Sequence, residues 1–65
     1  MTQRVFYDNK YQFIFTENTE GWRKDCWKKC EDGWMHVSNT EYLSLESVLY
    51  GIELLLDCGF TEVAA

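Results

Sequence analysis

Sixty-five residues with 46% apolar and 17% aromatic side chains are too rich in hydrophobic groups for a disordered chain, and too few for more than one domain. At that size folding removes only about 60% of the unfolded chain's surface from water, so a lone domain is marginally stable and a dimer interface would add what is missing. A net charge of −5 argues against a general phosphate-binding surface, and the longest uninterrupted aliphatic run, Leu54 to Leu56, is far short of the roughly 20 residues of a membrane span.

The charge is unevenly placed. Residues 1–30 carry six basic and four acidic side chains, 6 − 4 = +2, whereas residues 31–65 carry seven acidic side chains and no Lys or Arg, −7. Such asymmetry suits an electrostatically steered contact, and acidic surface also keeps a small protein soluble.

In chain order, Arg4, Asp8 and Lys10 interrupt any apolar stretch that could act as an export signal, so a cytoplasmic protein is expected. Two aromatic and β-branched runs flank Asp8-Asn9-Lys10, which predicts a β-hairpin. Within the second run Tyr11, Phe13 and Phe15 alternate with Gln12, Ile14 and Thr16, so the three rings share one side of a sheet, taken as the core side. After the turn signal ENTEG comes WRKDCWKKC as a third extended run; EDG turns again, with Gly33 suited to positive φ, and WMHVS makes a fourth strand.

A helix is predicted from Leu45 to Cys58. Ser44 is a favoured N-cap, Glu46 suits the positive end of the dipole, and Leu45, Val48, Leu49, Ile52, Leu55 and Leu56 repeat as one buried stripe. Gly59 fits the left-handed position that ends a helix, with Phe60 folding back onto the last turn. Tyr42 and Leu43 are expected to anchor the link from sheet to helix. At 100° per residue, Glu46, Tyr50, Glu53 and Asp57 form an exposed acidic row around one tyrosine, and Ser47, Gly51, Leu54 and Cys58 a stripe of mostly small residues. A mid-helix glycine costs about 1 kcal/mol relative to alanine, so Gly51 calls for a close neighbour, either a strand of its own chain or a second helix.

Cys26 and Cys30 admit two readings. In a helix they share a face and could join His36 and Cys58 as a Cys3His zinc set; in a strand they stand about 13 Å apart, beyond one zinc ion. Strand is favoured by the β-like neighbours and by the glycines at both ends, and three cysteines without an export signal read as free thiols. Arg23, Lys24, Lys28 and Lys29 interleave with Trp22 and Trp27 as nucleic-acid-binding stripes do, but the surplus of carboxylates opposes a polyanion, so nucleic acid is not expected as a partner. A single histidine, no glycine-rich phosphate loop and no spacing that designates a nucleophile give no enzyme signature, and no cofactor is implied.

These signals define one α+β domain: an antiparallel sheet of three or four strands against one C-terminal amphipathic helix. One helix covers one face, while apolar groups occur at both strand parities: Phe13 and Phe15 against Ile14, Trp22 against Trp27, Trp34 against Met35 and Val37. Rings left on an uncovered face mark an association site. The expected function is a small intracellular interaction module or regulator that binds another protein and pairs with itself as a homodimer. Trp22, Arg23, Trp27 and Tyr50, with Glu46, Glu53 and Asp57, are the expected protein contacts, and Ser47, Gly51 and Leu54 the dimer contact. Two alternatives are an acidic nucleic-acid mimic that inhibits a nucleic-acid-binding enzyme, presented by the carboxylate row, and a zinc-stabilised mini-domain.

Overall fold

The computed structural model describes residues 2–64. Four strands, β1 Gln3–Tyr7, β2 Tyr11–Asn18, β3 Gly21–Cys30 and β4 Gly33–Leu43, precede the helix α1 Leu45–Asp57, and a two-residue strand β5 Thr61–Glu62 follows it. All pair antiparallel in one five-stranded sheet of order β4-β3-β2-β1-β5. The class is the expected α+β, with one strand more than the three or four predicted. Two residues cannot show an alternating pattern, which is why β5 escapes a sequence reading; Arg4 on β1 holds it by donating two 2.8 Å hydrogen bonds to the Glu62 carboxylate.

Local chemistry sets the turns. Asp8 Oδ1 accepts from the backbone N–H of Lys10 at 2.8 Å and of Tyr11 at 2.7 Å, closing the first hairpin as an Asx turn. Gly33, at φ 126°, closes the third. The helix begins where Ser44 Oγ accepts from the N–H of Ser47 at 3.2 Å. It ends at Asp57, one residue before the predicted limit, with Cys58 as C-cap and Gly59 at φ 92°. The N–H of Phe60 donates to the carbonyl of Leu55 and that of Gly59 to the carbonyl of Leu56, the paired bonds of a Schellman ending. The Phe60 ring then meets Phe13 edge-on, 5.5 Å between centroids.

Opposed residues of antiparallel strands share a face, so the register sorts the sheet. Phe6, Phe13 and Cys26 stand in one row, Arg4, Phe15 and Lys24 in the next, on the side that meets the helix. Phe6, Phe15 and Trp22 pack there against Val48 and Ile52 of α1, with Phe13, Leu43, Leu55 and Phe60 around them. Tyr11, Phe13 and Phe15 thus face the core side as predicted. Val5, Ile14, Asp25, Tyr7, Gln12 and Trp27 line the opposite, open face.

Two expectations about the helix and its entry need correction. Leu45, Leu49 and Leu56 do not complete a buried stripe: they are 54%, 49% and 48% exposed, because a cylinder on a sheet touches it along a narrow arc, here Val48, Ile52 and Leu55. Leu43 anchors the sheet-to-helix link, but Tyr42 does not; it is 72% exposed and holds φ 61°, the only positive φ outside glycine among the described residues. Gly51 has its neighbour within its own chain, since a Cβ there would sit 3.7 Å from the Phe15 ring.

That last distance is ordinary van der Waals contact, so the site has room for a methyl group. Gly51→Ala should therefore raise unfolding stability by about 1 kcal/mol, read from urea denaturation. Tyr42→Asn should also stabilise, by about 0.5–1 kcal/mol, because asparagine tolerates the left-handed region better than tyrosine. A loss on thermal unfolding would show that the tyrosine ring contributes more than its backbone strain removes.

Candidate functional site

Beneath the helix the sheet is a core; on the other face, β3 and β4 assemble a polar network around two half-exposed rings. Arg23 donates to both oxygens of Asp25, at 3.0 and 3.1 Å, and more loosely to Glu41 at 3.4 Å. His36 Nε2 lies 2.8 Å from Asp25 Oδ1 and its ring meets the Trp27 indole 4.7 Å away at 60°. Alternation explains the grouping: Arg23, Asp25 and Trp27 are every second residue of β3, and His36 is opposite Trp27 across the β3–β4 ladder.

Asp25 is the pivot, with its side chain 16% exposed. Burial pushes its carboxyl upward, but hydrogen bonds from Arg23 and His36, reinforced by their charges, outweigh this and hold it below the usual carboxylate range. At the far edge the Arg4 guanidinium likewise holds the Glu62 carboxyl low, chiefly through its hydrogen bonds. Trp27 adds a cost: its indole Nε1–H is buried with no hydrogen-bond partner, and a buried unsatisfied donor forfeits about 1–3 kcal/mol.

The residues expected as protein contacts divide among three places. Trp22 belongs to the core beneath α1 and presents almost no surface. Arg23 and Trp27 are on the open sheet face, half-buried. Glu46, Tyr50, Glu53 and Asp57 are exposed on the outward side of α1, on the other side of the molecule. Of the small-residue stripe, Ser47 and Leu54 are exposed while Gly51 turns partly towards Phe15. Asp25, Glu41 and His36 were not singled out as a set by the sequence; the i, i+2 spacing of Arg23 and Asp25 on a strand was the available signal.

The zinc set does not assemble. Residues 21–30 form a strand, Cys26 is buried on the helix side, and His36 is on the open face with Trp27. Among the described residues no three histidine, cysteine or carboxylate side chains converge as metal ligands. Cys26, Cys30 and Cys58 are free thiols, with burial pushing that of Cys26 up. Two open depressions, of about 410 Å³ at the β1–β2 turn and about 580 Å³ between β1 and β5, are lined by neither histidine nor cysteine. No helix among the described residues is long and apolar enough to cross a membrane. Compared with known protein families, curated proteins and solved structures, the chain matches none.

Because the folded Asp25 and Glu62 carboxyls sit below their unfolded value of about 4, their pairs stabilise the fold above that pH and the contribution is lost as pH falls through the folded values. Unfolding midpoints should hold steady from neutral pH down to about 5 and drop below about 4. Asp25→Asn should lower the neutral midpoint and flatten the acid drop, leaving the Glu62 share; an equally steep drop in the variant would place the acid sensitivity elsewhere.

Proposed function

We propose that this protein is a small interaction module that acts by binding another protein chain, with a second copy of itself as one of its partners. The observation that carries the reading is the balance of apolar surface. Among the described residues, eleven large apolar side chains are 43–72% exposed, against six hydrophobic residues in the core. Singly exposed apolar side chains are unremarkable, but these group: Leu45, Leu49, Tyr50, Leu54 and Leu56 surround α1, and Tyr7 and Trp34 extend the open face around Trp27. A helix whose apolar residues spread beyond the arc its own sheet covers keeps surface for a second contact.

The open face supplies a composition typical of protein contacts, aromatic rings beside an arginine whose fork is already fixed by Asp25. An intracellular, reducing setting is part of the reading, since all three cysteines are free thiols and two of them are exposed. The nucleic-acid mimic has one observation in its favour, an exposed carboxylate row on a helix without a single cation. Its spacing weighs against it: Glu46 to Glu53 is about 10 Å and Glu53 to Asp57 about 6 Å along the axis, not an even phosphate ladder.

Sedimentation velocity of the purified protein at micromolar concentration should give a species of twice the chain mass. A monomer throughout that range would remove self-pairing from the proposal, and a monomer that also fails to bind an apolar-surface dye would remove the interaction reading itself.

A further inference from the structure

The helix-side face of the sheet is only half covered. Every residue of β4 from Gly33 to Tyr42 is exposed, and Leu43 alone reaches the core. The register puts Lys24, Cys26 and Lys28 of β3 on that face, opposite Thr40, Ser38 and Met35 of β4. Lys24 confirms the side by standing 5.8 Å over the Phe13 ring, which packs on the core. Arg23, Asp25 and the Glu41 that bonds Arg23 are on the other face, so this bare strip holds two lysines and no carboxylate. None of the ion pairs among the described residues involves a lysine.

The outward side of α1 is the converse, with Glu46, Glu53 and Asp57 around Tyr50 and no basic residue in the helix. Two copies brought together helix row against helix row would repel. Strip and row are complementary in charge; the row is exposed throughout, and in the strip Lys28, Met35, Ser38 and Thr40 are exposed, with Lys24 half-buried and Cys26 buried between the two lysines.

We infer that the second copy occupies this strip reciprocally: the outward side of α1 from each protomer docks on the bare β3–β4 strip of the other. The inference rests on the self-pairing proposed above and names its surface. The two helices lie side by side in one layer between the two sheets, related by a two-fold axis running along them, and meet through the flank that holds Ser47 and Leu54. Glu53 and Asp57 of each helix face Lys24 and Lys28 of the other protomer, while Tyr50 and Met35 supply the apolar contact. The arrangement is closed and isologous, so it stops at two copies.

The test uses charge reversal in the full chain, with sedimentation as readout and circular dichroism to verify folding. Glu53→Lys with Asp57→Lys makes row and strip both basic; Lys24→Glu with Lys28→Glu makes both acidic. Each double variant should weaken self-association at least about tenfold. An equimolar mixture of the two should restore a dimer containing one copy of each, because both contacts are then complementary, and the four substitutions in one chain should restore a homodimer. A wild-type dimer that neither double variant weakens, or variants that do not recover on mixing and in the fourfold chain, would overturn the reciprocal contact and leave self-pairing standing. A monomeric wild-type protein would overturn both.

Discussion

A single helix is narrower than the sheet it must cover, and the rest of the structure is arranged around that mismatch. Five strands spaced about 4.8 Å apart make a sheet about 19 Å across, whereas a helix with its side chains is about 10 Å wide. Val48, Ile52 and Leu55 close the core over Phe6, Phe15 and Trp22, in the part of the sheet where the rings of β1, β2 and β3 converge. Beyond that arc, sheet and helix alike keep apolar surface in water. In the reading proposed above, another chain shields that surface.

Within the covered half the packing is close and its supports are local. The Phe6 and Phe15 rings meet edge-on, 6.0 Å apart at 83°, and the Phe15 ring lies beneath Gly51 with room for a methyl group between them. The Schellman ending turns Phe60 onto Phe13 and delivers Thr61 and Glu62 to the free edge of β1, where Arg4 ties them down. Capping at one end and reversal at the other thus do more than finish the helix; they fix where it crosses the sheet. On the open face, order comes from charge instead, with Asp25 shared between Arg23 and His36.

Much of this was legible in the residues. Alternation in Tyr11–Phe15 gave the core side of β2, and Ser44 and Gly59 gave the helix limits to within one residue. What the pattern could not supply was relative placement. The leucine repeat predicts a stripe more than 100° wide, but how much of it is buried depends on the sheet's breadth and on where the helix lies, which leaves Leu45, Leu49 and Leu56 exposed. Trp22 and Trp27 differ in parity, and only the position of the helix decides which becomes core. Asp25 and His36 are eleven residues apart, and the β4 bulge that brings His36 opposite Trp27 leaves no mark in composition.

Those bulges also bear on how the protein can associate. An eleven-residue edge strand without lysine or proline would ordinarily invite another strand to pair with it. Here β4 shifts register twice against β3, between Trp22 and Lys24 and between Cys26 and Trp27, and each time the extra residue is on β4. Tyr42, at φ 61°, lies in the first of these shifts. A strand so interrupted keeps regular register only in two short runs, Gly33 to His36 and Ser38 to Thr40, each shorter than an ordinary strand. The edge is therefore guarded by geometry while the face beside it is bare, and that contrast favours contact through side chains on the face of the sheet over extension of the sheet at its edge.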